Sequence, residues 1–344
     1  MLQTHREPTR SSFRRSLRPG VILPILLAFG LIVLLLELSG FQQALQLITH
    51  FRVGYLVFFA LTAAIYEVAR CVQWCFLLDR LDFRLPRKTQ IFSYGVGELA
   101  KNLPIGNFIP DYVLTRAHQA DFGRASSATL LSTLIEVGIS LAGVVIIGID
   151  GWDWLRPVIL VGTFIFALLV WTFSGWHHAD RNLSASHPHH PSHAPAWMTR
   201  PLAWPWVRKG LDELRQFSEG EATLLRSHVV AFAALCAAVY LIFNGLGLYV
   251  TVLGLGFTSV TWYQVMAASF FSLAFALIIP LPMDLGPTEV SGTGALVAMG
   301  MSASGAVSAM LLFRFLMLVV QILVACVVSI RYPAELRATL RRHH

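Results

Sequence analysis

Charged residues lie near the middle of three long apolar stretches of the sequence: Glu67, Arg70, Glu136 and Arg314. In a membrane helix, a charge at the centre costs about 2.5–3.5 kcal/mol on insertion scales. Glu67 and Arg70 are three residues apart, so on a helix they share a face and can pair. An ion pair between Glu136 and Arg314 is the corresponding possibility later in the chain. Such pairs would either fix helix packing or line a polar cavity.

Two further apolar stretches, residues 91–115 and 263–303, are interrupted by Gly, Pro and charge, and they add Glu98, Lys101, Asp284 and Glu289. So many ionisable groups at membrane depth favour a polar cavity. Four basic side chains suit a phosphate, with Arg able to bind it bidentately: Arg70, Lys101, Arg116 and Arg314. The carboxylates could balance these bases in an empty site, or bind a cationic group or a proton.

The sequence gives little support for catalysis or metal binding. The HExxH, GxSxG, Walker and Rossmann motifs are absent, and the connections between apolar stretches are too short for a soluble catalytic domain, so we expect no enzyme. The His-rich linker at 176–204 is broken by prolines, which favours a flexible loop over a metal site. The four cysteines lie in apolar stretches and are interpreted as buried thiols. We therefore expect no metal and no cofactor.

Composition places these residues in a membrane protein. Of 344 residues, 56% are hydrophobic and only 13% charged, with mean hydropathy +0.63, whereas soluble domains carry about 25% charged residues. The net charge is +7, but the basic residues form short clusters between apolar runs. That is the distribution of the positive-inside rule, so we expect no nucleic-acid partner.

Six stretches are long and apolar enough to span a bilayer: 21–40, 53–78, 126–149, 157–175, 229–253 and 305–330. The clusters of Lys and Arg alternate cleanly if both termini are cytoplasmic and each interrupted stretch returns to its own side. The segment 97-GELAKNLPIGNFIP-110 is a poor sequence for a regular helix. We therefore predict that 91–115 is a re-entrant hairpin, which requires a protein or watery lining.

The order of elements predicts two halves, 21–149 and 157–330, each with three spans and one hairpin, the second inverted relative to the first. Two full spans within 263–303, giving up to eight spans, remain an alternative. The remaining segments are a basic cytoplasmic tail, 1–20, an outer connection, 150–156, a cytoplasmic linker, 176–228, and a basic cytoplasmic tail, 331–344. Within the linker, 206–217 fits a helix on the inner membrane surface.

The sequence resembles the lysylphosphatidylglycerol synthase transmembrane-region family. The C-terminal part carries the better match: Pro282, then Gly286-Pro-Thr-Glu289, Gly300, and Arg314 inside the final span. In the first half, Arg70, Asn107, Pro110, Arg116 and Glu136 are similar to family motif positions. The family usually has Gly-Glu between that Pro and Arg, where this sequence has 111-DYVLT-115. Gly97-Glu98 followed by Lys101 resembles the same motif shifted upstream.

The resemblance implies a flippase-like protein that moves a polar-headed lipid between leaflets, such as an aminoacylated phospholipid or a polyprenyl-phosphate-linked glycan. Arg70, Arg116 and Arg314 would contact phosphate, and Glu98, Glu136 and Glu289 would balance them or bind an amine. Asn107, Pro110, Pro282 and Gly286 would shape the hairpins. The aminoacyl-transfer domain of full-length synthases has no counterpart before His344, so that activity is not expected.

The alternative function is a scaffold that transports nothing and supports a lipid- or glycan-synthesis enzyme, and such enzymes are expected partners in either case. An intramembrane enzyme acting on lipid headgroups is a third reading, but a nucleophile–base pair is not recognisable. The expected location is the inner cell membrane.

Overall fold

The computed structural model describes residues 41–81, 83, 85–100, 108–118, 122–147, 224, 226–278 and 286–335. The predicted spans 21–40 and 157–175, the N-terminal tail, residues 336–344, the outer connection and nearly all of the linker with its predicted surface helix lie outside this part. So do Lys101, Asn107 and Pro282. Within the described residues every regular element is a helix, as the all-α prediction required.

Four long helices correspond to four of the predicted spans: α2, Tyr55–Arg80; α5, Phe122–Ile147; α6, Ser227–Gly254; and α9, Ala303–Arg331. They contain 26 to 29 residues and rise about 39–44 Å, which exceeds a hydrocarbon core of about 30 Å. Each carries an apolar window that could cross a membrane. The multi-pass membrane prediction is therefore confirmed for these four segments.

The two interrupted stretches contain pairs of shorter helices. The first pair is α3, Arg87–Ala100, and α4, Ile109–His118; the second is α7, Trp262–Ile278, and α8, Pro287–Ala298. Partners in each pair pack against each other. A short amphipathic helix, α1 at Phe41–Thr49, precedes them and contacts α9.

One expectation about the first interrupted stretch was wrong. Gly97 and Glu98 were assigned to broken backbone, but they lie in the regular helix α3. Glycine disfavours a helix interior by only about 1 kcal/mol, which tertiary packing readily outweighs. Here the glycines permit close packing: a Cβ on Gly95 would lie 2.9 Å from Val328 Cγ2 of α9.

The packing exchanges elements between the two halves. α2 packs extensively against α6, while α3 lies on α9 and α7 lies on α5. In each interrupted stretch, the first of the two shorter helices thus contacts a long helix from the other part of the sequence: α3 contacts α9, and α7 contacts α5. A glycine sits at each contact, since a Cβ on Gly143 of α5 would lie 2.8 Å from Phe270 Cε2 of α7.

The outer surface of the long helices is apolar. Only 22–39% of the most apolar window of each long helix is buried inside the protein. Val57, Ile146 and Ile330 are 73%, 82% and 81% exposed. Side chains of this kind on helices of spanning length are typical of a lipid-facing surface.

Candidate functional site

An ion pair joins two long helices of the first half. Arg70 of α2 directs Nη2 toward Glu136 Oε2 of α5 at 3.3 Å, and the two side chains are 16% and 13% exposed. Arg70 lies in the middle part of α2. The helix is still apolar enough to cross a membrane because most of the residues around Arg70 are apolar. A buried cation requires such a partner, since an isolated one would lose several kcal/mol of solvation.

Two tyrosines complete the surroundings of the Arg70–Glu136 pair. The Arg70 guanidinium donates through Nη1 to the Tyr66 hydroxyl and lies 5.7 Å and 5.4 Å from the ring centroids of Tyr66 and Tyr240. Tyr240 belongs to α6, and its hydroxyl donates to Glu136 Oε2 at 3.2 Å. The cation is thus held by a carboxylate, a hydroxyl and two aromatic rings. Because α6 contributes Tyr240, the cluster bridges the two halves.

The pairing within α2 expected from the spacing of Glu67 and Arg70 was wrong. Glu67 instead accepts a hydrogen bond from the Tyr94 hydroxyl of α3 at 3.1 Å. Helical spacing shows which residues share a face, but not which neighbouring helix offers a better partner. Here α5 supplies Glu136 to Arg70, and α3 supplies Tyr94 to Glu67.

Beside this cluster is a polar pocket formed by first-half helices. It is small, with enclosed room for about one water molecule, and it is partly open to its surroundings. Its walls come from α2, α3, α4 and α5, and its lining residues are Arg70, Trp74, Tyr94, Glu98, Pro110, Thr129, Ser132 and Thr133. The pocket therefore combines a cation, a carboxylate, hydroxyls and aromatic rings, which is a suitable set for a polar group that carries charge.

Helices α3 and α4 approach each other closely beside the pocket. A Cβ on Gly97 of α3 would lie 2.7 Å from the backbone nitrogen of Pro110 in α4, so only glycine fits there. This contact brings Glu98 and Pro110 into one pocket although the family-like Gly-Glu lies upstream of its usual place. The residue after Pro110, Asp111, is fully buried and accepts from Trp74 Nε1 at 3.2 Å.

The second half contains a corresponding ion pair. Arg314 Nε of α9 lies 2.9 Å from Glu289 Oε1 of α8, with the side chains 29% and 1% exposed. The other carboxylate oxygen of Glu289 accepts the backbone N–H of Gly286 at 2.6 Å, which caps the start of α8. Gly286 has φ of +95°, a conformation that favours glycine. The Glu136–Arg314 pair that the sequence left open is not formed, because each partner has a nearer counter-ion.

The structure therefore gathers most of the predicted site residues into two groups. Arg70, Glu98 and Pro110 line the first pocket, and Glu136 joins them through its ion pair with Arg70. Gly286, Glu289 and Arg314 form the second group. Arg116 belongs to α4, but its side chain lies outside the described part, as do the whole residues Lys101, Asn107 and Pro282.

Sequence reasoning missed several polar or aromatic residues of the first group: Tyr66, Trp74, Tyr94, Asp111 and Tyr240. Tyr66 could have been found, since it precedes Arg70 by four residues and so shares its helical face. Asp111 directly follows the motif residue Pro110. Tyr94 and Tyr240 carry no such signal, because only tertiary packing brings them to Glu67 and Glu136.

The described residues contain no group of three or more His, Cys, Asp or Glu side chains arranged to hold a metal ion. Cys71 and Cys75 face each other along α2 with Sγ atoms 4.0 Å apart, and neither forms a disulfide.

Comparison with known proteins identifies the family. A search of curated proteins gave no match to the chain. The family model described as the lysylphosphatidylglycerol synthase transmembrane region matches residues 21–325, which is nearly the whole chain and includes both ion pairs. The chain therefore belongs to the lysylphosphatidylglycerol synthase transmembrane-region family.

Proposed function

We propose that this protein moves a polar-headed lipid between the two leaflets of a membrane. The lipid is an aminoacylated phospholipid or a polyprenyl-phosphate-linked glycan, both of which carry phosphate. Family membership and the multi-pass, lipid-exposed architecture support a flippase-like protein. The polar site inside the bundle supports a role in which the lipid headgroup enters the protein.

The observation that carries the proposal is the pair of Arg–carboxylate contacts on long apolar helices, Arg70–Glu136 and Arg314–Glu289. Replacing a buried ion pair by well-packed apolar side chains is often neutral or stabilising, so stability alone is a weak reason for it. Reversible binding of a phosphate group by the Arg side chains explains the presence of these ion pairs better than stability does. An incoming phosphate would replace the carboxylate as the partner of each Arg, and the displaced carboxylate would then need a proton or a cationic part of the headgroup as its new partner.

The pocket beside Arg70 would have to widen to admit a headgroup, and its lining residues are the proposed contacts. Arg70 would contact phosphate, and Glu98 would balance it or bind an amine on the headgroup. The acyl or polyprenyl chains would remain in the lipid, against the apolar outer surface of the long helices. The second group, with Arg314 and Glu289, would receive the headgroup from the other side.

The exchanged packing of the two halves supports alternating access. α3 on α9 and α7 on α5 are the contacts expected if two inverted halves are related by a pseudo-two-fold axis in the membrane plane. The 12 residues of α8 rise about 18 Å, too little for a full span, which favours a hairpin in 263–303. Rocking of one half against the other would then expose the headgroup to each leaflet in turn. We place both termini in the cytoplasm, at the inner membrane, on the distribution of Lys and Arg.

Leaflet exchange in vesicles tests this function directly. Purified protein is reconstituted, and the accessibility of chain-labelled phospholipids and polyprenyl-phosphate lipids to an external quencher is followed over time. Arg314→Ala is expected to slow exchange at least tenfold, since one charge-assisted phosphate contact contributes about 1.5–3 kcal/mol.

The matched control is Arg331→Ala, which removes an exposed Arg at the end of the same helix, α9. This variant should exchange lipid at nearly the wild-type rate. If wild-type protein, well folded by gel filtration, exchanges none of the lipids, the scaffold function replaces translocation. Equal rates in wild type and Arg314→Ala would remove Arg314 from the site.

A further inference from the structure

Glu67 differs from the other carboxylates on the long helices. Glu136 is paired with Arg70 at 3.3 Å, whereas Glu67 forms no ion pair within the described residues. It is the thirteenth of the 26 residues of α2, near the middle of the span, and only 4% exposed. Among the described residues, no cation lies within ion-pair distance of this carboxylate, and its burial shields it from solvent.

The hydrogen bonding of Glu67 is only half complete. Its Oε2 atom accepts from the Tyr94 hydroxyl at 3.1 Å. Its Oε1 atom is buried and has no hydrogen-bond partner among the described residues. A deprotonated carboxylate accepting a single neutral hydrogen bond would lose several kcal/mol of solvation, far more than a neutral carboxylic acid. Binding of a proton would remove most of this cost.

The groups around Glu67 explain how that proton can come and go. Its own helix carries Tyr66 and Arg70, and α3 presents Tyr94 and Glu98. The other neighbouring helices contribute Glu136 on α5 and Tyr240 on α6; α9 meets α2 through Phe313 and Phe59, next to Arg314. Tyr94 also lines the polar pocket, so one residue contacts both Glu67 and that pocket.

Loss of the proton would act on the Arg70–Glu136 contact. An ionised Glu67 attracts Arg70, three residues further along the same helical face. Arg70 would then be divided between Glu67 and Glu136. Protonation returns Arg70 to Glu136 or leaves it available for phosphate.

We propose that Glu67 is a proton-binding site that couples lipid movement to a proton gradient. The inference rests on the proposed function and deepens it, since it names the co-transported ion. A proton from water in the pocket binds the Glu67 carboxylate, and the same proton leaves to water on the other side after the halves rock. No other bond forms or breaks.

The test imposes a gradient of about one pH unit on vesicles containing the protein and chain-labelled phosphatidylglycerol or polyprenyl phosphate. The steady-state ratio of lipid between leaflets is measured. Transport of one proton with each lipid drives this ratio up to about tenfold, because one pH unit is equivalent to about 1.4 kcal/mol. Glu67→Gln, which has the shape of the protonated side chain, should leave the two leaflets equally filled.

The control is Glu335→Gln, the same chemical change at a carboxylate paired with the exposed Lys88 at 3.7 Å; it should keep the wild-type ratio. The proton site is contradicted if the wild-type lipid ratio between leaflets does not change with the pH gradient, or if Glu67→Gln gives the same ratio as wild type. Neither result contradicts lipid translocation itself. Absence of exchange by the wild type for every lipid instead contradicts the proposed function.

Infrared spectroscopy of the purified protein provides a readout that does not depend on transport. A protonated buried carboxyl gives a C=O stretching band above the amide region. This band should be present in wild type and Glu335→Gln and should lose intensity in Glu67→Gln. An identical band in all three proteins would show that Glu67 holds no proton.

Discussion

At the scale of single residues, the site consists of charges whose partners come from other helices. The sequence predicted that Arg70, Glu136, Glu289 and Arg314 are functional, because charge inside apolar stretches requires a reason. It could not predict the partners. Glu67 and Arg70 share a face of α2, but the distance that decided the pairing, 3.3 Å from Arg70 to Glu136, depends on how α5 packs.

The pair Arg70–Glu136 allows stability and function to be separated. Glu136→Ala should lower the free energy of unfolding by about 3–5 kcal/mol, because Arg70 would be left buried without its carboxylate. The double variant Arg70→Met, Glu136→Leu should recover most of that loss, since apolar side chains fill a similar volume. Thermal unfolding in detergent gives the stabilities.

Leaflet exchange of the same double variant then distinguishes the two roles of the pair. We expect no exchange, because the proposed phosphate ligand is gone even though the fold is intact. A stable double variant that exchanges lipid at the wild-type rate would show that the Arg70–Glu136 pair serves helix packing and not phosphate binding.

At the scale of elements, the long helices were predictable and their ends nearly so. Predicted 229–253 and 305–330 became Ser227–Gly254 and Ala303–Arg331, because hydropathy decides which residues can face lipid. The exact ends depend on local hydrogen bonds, such as Gly305 N–H to Ser302 Oγ at the start of α9. The helical form of Gly95 and Gly97 was not predictable, since it depends on contacts with Val328 and Pro110.

The contact between α3 and α4 predicts a glycine requirement. Gly97→Ala would place a Cβ 2.7 Å from the Pro110 nitrogen and should lower the free energy of unfolding by about 1–3 kcal/mol through overpacking. Lipid exchange should also fall, because the pocket wall that holds Glu98 would shift.

Gly294→Ala is the matched control for this prediction. Gly294 is also inside a helix, α8, and a Cβ there would meet nothing within 4 Å. The substitution should be neutral or stabilise by up to about 1 kcal/mol, the helix propensity difference. Equal effects of the two substitutions, measured by thermal unfolding, would show that close packing of α3 on α4 is unimportant.

At the scale of the whole molecule, composition and charge distribution predicted a multi-pass membrane protein, and the four long apolar helices confirm it. The division into two inverted halves, taken from the order of elements, stays a prediction. The order of elements contained no information on how the halves interlock, because the contacts of α3 with α9 and of α7 with α5 join residues far apart in sequence. These contacts are the places where relative motion of the halves can be stopped.

A reversible cross-link between α3 and α9 tests the central claim most directly. The Cβ built on Gly95 lies 3.2 Å from the Val328 Cβ, close to the roughly 3.5–4.5 Å of a disulfide. The double variant Gly95→Cys, Val328→Cys is made in a background whose native cysteines, Cys71, Cys75, Cys236 and Cys326, are replaced by Ala. Lipid exchange is measured in the same vesicles before and after reduction.

Each sample is its own control for folding and reconstitution, and the cysteine-free background shows that the reductant alone has no effect. If the protein translocates lipid by rocking one half against the other, exchange is blocked while the disulfide is intact and appears when it is reduced. Exchange at the same rate before and after reduction would contradict the account.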